Sequence, residues 1–463
     1  MAVQCVFDQV SAGSGRKTMR LAEMMAALSH ALDLTEGQPP EHCIRGCWIG
    51  TQIGEALGFD PEALSDLYYT LLLKDLGCSS NAARLCQLYL TDDIAFKRGF
   101  KTMDTSMTAA LRFIFAHTGL KTGLSDRIRT LVTAVQNGGK YARELMETRC
   151  TRGADIAAKL RFSPRVQEGI RGLDEHWDGG GQPYGLRAEE IPLASNIALL
   201  AQVVDVFHTE QGPAAALSEA QARAGKWFSP AIVQAFEAVQ AEPGFWDALR
   251  APDLADQVMH MPAGRDLVTV DDDYLDDVAA AFADVVDAKS PFTADHSNRV
   301  TLYSDMIAEE LGVGAEHRRW LRRAALLHDL GKLGVSNQIL DKPGKLDPDE
   351  WEAIKLHPIH SEAILNRVSV FSDIAPIAAA HHERLDGKGY PYALVADEIP
   401  LEARILTVAD VFDALSAERP YRAAMPLGKV QAILEGDIGT AFDGDCVAAL
   451  KRGLTRLDAS FVA

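Results

Sequence analysis

No run of 18 apolar residues occurs in the chain, so nothing in it reads as a membrane-spanning helix. The opening stretch MAVQCVFDQVSAGSGRKTMR lacks an apolar region of secretory length. No signal peptide is therefore expected, and the expected location is cytoplasmic. Low-complexity tracts are absent, as in an ordinary globular protein. Cysteine is sparse and badly distributed for crosslinking. There are 7, an odd number, and all but Cys446 precede residue 151, which excludes a disulfide framework. Cys43 and Cys47 lie one helical turn apart, with no second Cys or His pair to complete a ligand set, so they read as small buried apolar residues. Excess positive charge is also missing. The formal net charge is −19, which argues against non-specific binding to a nucleic-acid polymer or an anionic membrane. An anionic substrate is still allowed, because metals or a few local cations can set the field of one pocket.

What the chain does have is length, apolar residues and a repeat. Its 463 residues, 47% of them hydrophobic, suit two cores better than one. Residues 174–208 (DEHWDGGGQPYGLRAEEIPLASNIALLAQVVDVFH) align without a gap on 382–416 (HERLDGKGYPYALVADEIPLEARILTVADVFDALS), with 16 of 35 positions identical at an offset of 208. Upstream, HCIRGCWIGTQIGEALG at 42–58 matches HSNRVTLYSDMIAEELG at 296–312, and LLLKDLG at 71–77 matches ALLHDLG at 325–331, both at an offset of 254. The two offsets differ by 46, so the first copy carries 46 additional residues between Lys74-Asp75 and Arg149. Apolar residues recur at helical spacing, for example Val300, Leu302, Met306, Ile307 and Leu311 on one face, and Trp320, Leu321, Ala324 and Leu327 on another. β-like runs are few. Both copies read as all-helical bundles.

The second copy places polar residues where a helical core should be apolar. His296 opens one helix, and His328-Asp329 ends the apolar run RRAALL before Gly331. His357 precedes Pro358, His381-His382 follows IAPIAAA, and Asp410 interrupts ILTVADVF. Any one of these reads as a satisfied core or capping residue. Together they would be costly to bury unless something pairs them. A cluster of divalent cations is the economical partner, and imidazoles sharing a carboxylate suit Fe, Mn, Zn or Ni.

The segment HDLGK at 328–332, followed by HHERLDGKGYP at 381–391, Ile399-Pro400 and Arg419-Pro420-Tyr421-Arg422, resembles the HD superfamily of metal-dependent phosphohydrolases, in its HD-GYP branch. The resemblance covers roughly 275–455. It implies an enzyme, a metal-dependent phosphodiesterase acting on cyclic di-GMP or on mixed cyclic GMP–AMP in bacterial second-messenger signalling. How far past the linear dinucleotide cleavage would go is left open. It also implies roles. His296, His328, Asp329 and Asp410 would hold one metal; Asp329 would bridge to a second, held also by His357, His381 and His382. Lys332 would contact the scissile phosphate, Arg419 and Arg422 would hold the substrate phosphates, and Tyr390 would shape the pocket. Asp329 and Lys332 would be the catalytic pair. Fe or Mn is the expected metal, with Ni, Zn or Co as alternatives. Phe292 stands where some members place a glutamate for a third metal, so two are expected. Ser290, in KSPFT, replaces the acidic residue usual there, which alters the surroundings of the ligands rather than the ligands themselves.

Carried back by the offsets, His296 maps to His42 and Asp329 to Asp75. His328, His357, His381, His382 and Asp410 map to Lys74, Arg149, Leu173, Asp174 and Gln202, while Lys332, Arg419 and Arg422 map to Cys78, Gln211 and Ala214. Two surviving ligands are too few for a tight site, and Lys74 and Arg149 would pair with Asp75 and Asp174 instead of a metal. The expected fold is therefore all-α: two tandem HD-type helical bundles, the first degenerate. Residues 1–245 form the degenerate domain, with a structural, dimerising or sensory role; 246–272 form a linker; 273–463 form the catalytic domain. Expected partners are a cyclic dinucleotide and either a second copy, paired through the N-terminal half, or a signalling protein. Two rival readings are a non-catalytic module that binds a nucleotide or protein, and an HD phosphohydrolase for another nucleotide.

Overall fold

The computed structural model describes residues 17–101, 107–120, 123–265, 267–418 and 422–462. The first copy begins with strand β1 (Lys17–Arg20) and helices α1 (Leu21–Glu36), α2 (His42–Ala56) and α3 (Pro61–Leu73). Its additional residues fold as α4 (Ala82–Tyr89), α5 (Asp93–Lys101), α6 (Met107–His117) and the first part of the long α7 (Leu124–Lys159). Then come α8 (Pro164–Arg171), α9 (Leu193–Gln211), α10 (Pro213–Ala222), α11 (Pro230–Gln240), α12 (Phe245–Ala248) and α13 (Leu254–Met259). The second copy repeats the order: β2 (Leu267–Val270), α14 (Asp272–Asp287), α15 (His296–Glu310), α16 (Ala315–Leu327), α17 (Asn337–Leu340), α18 (Pro348–Ile354), α19 (His357–Leu365), α20 (Ala375–Ala380), α21 (Leu401–Ser416), α22 (Leu427–Gly436) and α23 (Gly444–Val462).

Local chemistry sets many of these boundaries. Asp60 accepts a hydrogen bond from the Ala63 amide and Pro61 follows it, so α3 starts with a side-chain cap and a preset first turn. Asp347 and Glu350 form a reciprocal capping box around Pro348 at the start of α18. The repeat holds in three dimensions: α2 and α3 superpose in sequence on α15 and α16 at the upstream offset, and α9 starts where α21 does at the downstream one. Close backbone approach recurs too. A Cβ on Gly331 would collide with the His357 carbonyl and the Ser361 amide; one on Gly77 would collide with the Arg149 carbonyl and the Gly153 amide. Only glycine permits these two contacts, and they place Arg149 where His357 stands.

The expectation of all-helical architecture holds, with one small addition. Strands β1 and β2 pair antiparallel, Lys17 opposite Val270 and Arg20 opposite Leu267. They are equivalent strands of the two copies, and the packing around them is reciprocal. Helix α1 lies on its own α3 but also on the turn Leu330–Gly334 and on α19 of the second copy; α14 lies on its own α16 and on the turn Cys78–Asn81 and α7 of the first. The chain thus forms an internal pseudo-dimer, and one continuous apolar core runs through both copies. Segment 246–272, read from sequence as a linker, carries α12, α13 and β2. It buries Leu254 and Val258 completely, and the Val258 carbonyl accepts a hydrogen bond from Tyr68 Oη at 3.1 Å. Among the described residues no helix is long and apolar enough to cross a membrane.

Candidate metal centre

Five segments deliver the seven predicted ligands to one buried point. His296 opens α15, His328 and Asp329 follow α16, His357 opens α19, His381 and His382 follow α20, and Asp410 sits on the inner face of α21. The two oxygens of Asp329 face different neighbours. Oδ2 lies 3.4 Å from His296 Nε2 and 3.2 Å from His328 Nε2. Oδ1 lies 3.4 Å from His357 Nε2 and 3.7 Å from His381 Nε2. Asp410 Oδ1 completes the first group at 3.3 Å from His296 Nε2. His357, His381 and His382 present ligand atoms within 4.8 Å of one another, and so do His296, His328 and Asp410.

The backbone dictates which nitrogen each imidazole presents. His328 Nδ1 donates to the Ala325 carbonyl at 2.7 Å, His357 Nδ1 to Ile354 at 2.6 Å and His381 Nδ1 to Ala378 at 2.5 Å. A carbonyl can only accept, so each ring carries its proton on Nδ1 and turns an Nε2 lone pair inward. His357 Nε2 and His381 Nε2 then turn their lone pairs toward each other at 3.3 Å. Among the described residues, His296 Nε2, His328 Nε2 and Asp329 Oδ1 are buried with no hydrogen-bond partner. Orphaned polar atoms in a dry interior are expensive, and divalent cations would satisfy all of them. The donor set therefore fits metal. Burial pushes the pKa of His357 down to about 3 and of His381 to about 4. Burial works against ionised Asp329 and Asp410, but His328 and Lys332 around the first and His296 around the second hold both carboxyls well below the usual range. Ionised carboxylate and neutral imidazole are the forms that bind metal; His296, whose pKa burial lowers but the carboxylates of Asp329, Asp410 and Asp413 raise to about 10, would give up its Nε2 proton to a cation there.

Beyond the predicted ligands, Asp413 was not found from sequence. Its Oδ2 takes the His296 Nδ1 hydrogen bond at 2.7 Å and its Oδ1 takes Arg299 Nε at 2.6 Å. The repeat carried the signal, since His42 Nδ1 and Arg45 Nε bind Asp205 in the same way, at 2.6 and 2.5 Å. Glu383 was also missed. It receives the amides of Tyr392 and Leu394 at 2.6 and 3.0 Å, as Glu175 receives those of Tyr184 and Leu186 at 2.7 and 2.8 Å. These bonds pin the loop that presents Tyr390, whose ring stacks on His382 with centroids 4.8 Å apart. Lys332 Nζ reaches Asp329 Oδ2 at 2.5 Å. Arg422, expected on substrate phosphates, donates to the carbonyls of Ala414, Leu415 and Ala423 and ties down the end of α21. Arg419 lies outside the described residues.

The equivalent point in the first copy is filled by side-chain cations. Lys74 Nζ ion-pairs with Asp75 and lies 3.1 Å from His42 Nε2. Arg149 pairs with Asp174 at 2.7 Å. Two lysines from α5 enter as well: Lys97 reaches Glu36 at 3.3 Å and Lys101 reaches it at 2.7 Å. Glu36, Asp75 and Cys78 converge there as a ligand-like group, but these cations already compensate the carboxylates.

This arrangement of His and Asp on a helical bundle defines a metal-dependent phosphohydrolase scaffold. The family model described as HD domain matches residues 129–232 and 280–446, and the chain belongs to the HD-domain family, in its HD-GYP branch. It is similar to "3'3'-cGAMP-specific phosphodiesterase 3" of Vibrio cholerae serotype O1, at 54% identity over 442 residues and 96% of each chain. Over the second copy it is also similar to "Cyclic di-GMP phosphodiesterase response regulator RpfG" of Xanthomonas campestris, at 44% identity over 168 residues, 36% of this chain and 44% of that one. Among solved structures, the cyclic GMP-AMP specific phosphodiesterase V-cGAP3 of V. cholerae matches with a TM-score of 0.65 and 49% identity, covering 95% of this chain and 98% of that one.

Proposed function

We propose that the second copy hydrolyses a phosphodiester bond in a cyclic dinucleotide, with 3'3'-cyclic GMP–AMP as the first candidate and cyclic di-GMP as the second. The observation that carries the reading is the split of Asp329, one oxygen toward His296 and His328 and the other toward His357 and His381. That geometry suits a carboxylate shared by two cations. His296, His328, Asp329 and Asp410 would hold one; Asp329, His357, His381 and His382 would hold the other. Divalent cations, Fe or Mn foremost, supply Lewis acidity and a more acidic water when bound. Lys332 neutralises charge building on the phosphoryl oxygens. The ring of Tyr390, stacked beside His382, offers an apolar wall for a base. Asp413 fixes the His296 tautomer and ring. The substrate's identity rests on the V. cholerae relative, which aligns over nearly the whole chain. The first copy acts as the built-in partner of the catalytic bundle, with residues 273–463 as the catalytic unit. The test is turnover of a panel of cyclic dinucleotides under anaerobic Mn or Fe, for the wild type and Asp329→Ala. Cleavage of 3'3'-cyclic GMP–AMP that Asp329→Ala abolishes is the expected result. No cleavage of any cyclic dinucleotide by the metal-loaded wild type would overturn it.

A further inference from the structure

The insertion that distinguishes the first copy carries an apolar face that the described residues of the chain leave open. In the first half of α7, Leu124 is 73% exposed, Ile128 53%, Val132 49% and Val135 61%. Their spacing of four, four and three residues sets them on one narrow stripe, and Gly139 continues it one turn further on. Neither Gly138 nor Gly139 has any atom within 4 Å of where a Cβ would stand. A mid-helix glycine costs about 1 kcal/mol relative to alanine, and no contact among the described residues requires these two. They suit a site where another backbone comes close. A flanking face of the arm is already used: Ala134 and Leu145 pack with Leu85, Tyr89 and Phe96 in a small separate core. Phe115 of α6 adjoins the stripe, since Arg127 lies over its ring at 5.3 Å and donates to its carbonyl at 3.0 Å.

We propose that this face is a self-association surface, occupied by the same face of a second copy of this chain about a two-fold axis. Area favours that occupant. With Phe115 and, one turn before it on α6, Leu111, both exposed, the residues offer roughly 600 Å², the upper end of the largest patch usual on a monomer and about three quarters of the ~800 Å² per partner of a standard stable interface. The stripe itself bears no charge and is uniform along its length, so it complements a copy of itself, as a closed two-fold interface requires. The pseudo-dimer contact between the two halves is already spent inside the chain, so dimerisation would have to use a new surface, and the insertion supplies one.

Sedimentation velocity of the full chain across micromolar to near-millimolar concentrations tests this. The wild type is expected to form a dimer. Ile128→Glu with Val132→Glu should yield monomers with unchanged helicity and thermal midpoint, because both positions face outward. Gly139→Arg is the second variant: it meets open space in the monomer and raises helix propensity, so it should keep the fold and still abolish the dimer. A wild type that is monomeric throughout, or a dimer that survives both variants, would overturn the proposal. So would flotation of a monomeric wild type with vesicles of phosphatidylserine and phosphatidylcholine, lost in the double variant, which would assign the face to lipid.

Discussion

The buried pair Asp93–Lys289 joins the insertion of the first copy to the catalytic bundle, and removing one charge at a time should expose its energetics. Asp93 is 0% and Lys289 1% exposed, with Nζ and Oδ2 3.6 Å apart. The other partner of Lys289 is the Leu333 carbonyl at 3.2 Å, one residue past Lys332. Asp93 Oδ1 accepts the Asn337 amide at 2.8 Å and Ser336 Oγ at 3.0 Å, so it caps α17 of the other copy. Burial pulls the Lys289 pKa below its ordinary value, against the attraction of Asp93. Asp93→Asn keeps the cap acceptor and deletes only the charge. A buried cation then has one carbonyl for company, and breaking a buried pair from one side costs about 3–5 kcal/mol. Lys289→Met costs less, about 1–3 kcal/mol, because Asp93 keeps its Asn337 and Ser336 donors. The double variant carries no stranded charge, so its loss should fall well below the sum of the singles, with a coupling of about 1–3 kcal/mol. Urea unfolding of chelator-stripped protein, followed by circular dichroism and tryptophan fluorescence, measures all four proteins. An Asp93→Asn loss under about 1 kcal/mol, or single losses that simply add, would refute the reasoning.

Four further outcomes follow from the same structure. Asp413→Asn should weaken metal binding by about 10–100-fold while leaving the bundle folded, as loss of a ligand's carboxylate anchor does; equilibrium titration with Mn under anaerobic conditions reads it. Gly331→Ala forces a Cβ into the His357 carbonyl and should abolish metal retention, read by metal analysis of the purified variant. Asp33 accepts the Cys43 amide at 3.0 Å, and burial raises its pKa to about 7. The folded state thus holds its proton more tightly than the unfolded one. That stability is full below about pH 4 and is lost as pH rises through about 7, so Asp33→Asn should flatten the fall in unfolding free energy between those limits. Lys74→Met should destabilise the first copy by about 3–5 kcal/mol, because Asp75 loses its closest cation; calorimetry of the full chain would show it.

Much of this was legible in the sequence because the gene writes the domain twice. The 35-residue alignment made the segments of α9 and α21 equivalent, and the change of offset located the insertion between Asp75 and Arg149. The ligands were legible for a different reason: His328, Asp329, His381 and Asp410 are polar residues inside apolar helical runs, a pattern that burial makes costly. Asp413 and Glu383 escaped notice because an acidic residue on a helix or in a loop is ordinary. Only the three-dimensional pairing with His296, or with two loop amides, gives them a task. The reciprocal packing of α1 and α14 on the opposite copy was invisible for a related reason, since periodicity shows that a helix has an apolar face but not which bundle covers it. For Arg422 the motif suggested a phosphate contact, and the structure adds a task the motif does not show, the three backbone carbonyls it holds at the end of α21.

Two metals in the second copy, shared through Asp329, and none in the first are what the proposed activity requires. Metal analysis of the purified full chain, reconstituted anaerobically with Mn or Fe and freed of excess ion, tests that requirement most directly. The predicted result is two equivalents per chain in the wild type and in Lys74→Met, with severe loss in Asp329→Ala. One equivalent in the wild type, or two retained by Asp329→Ala and lost on His42→Ala, would contradict it.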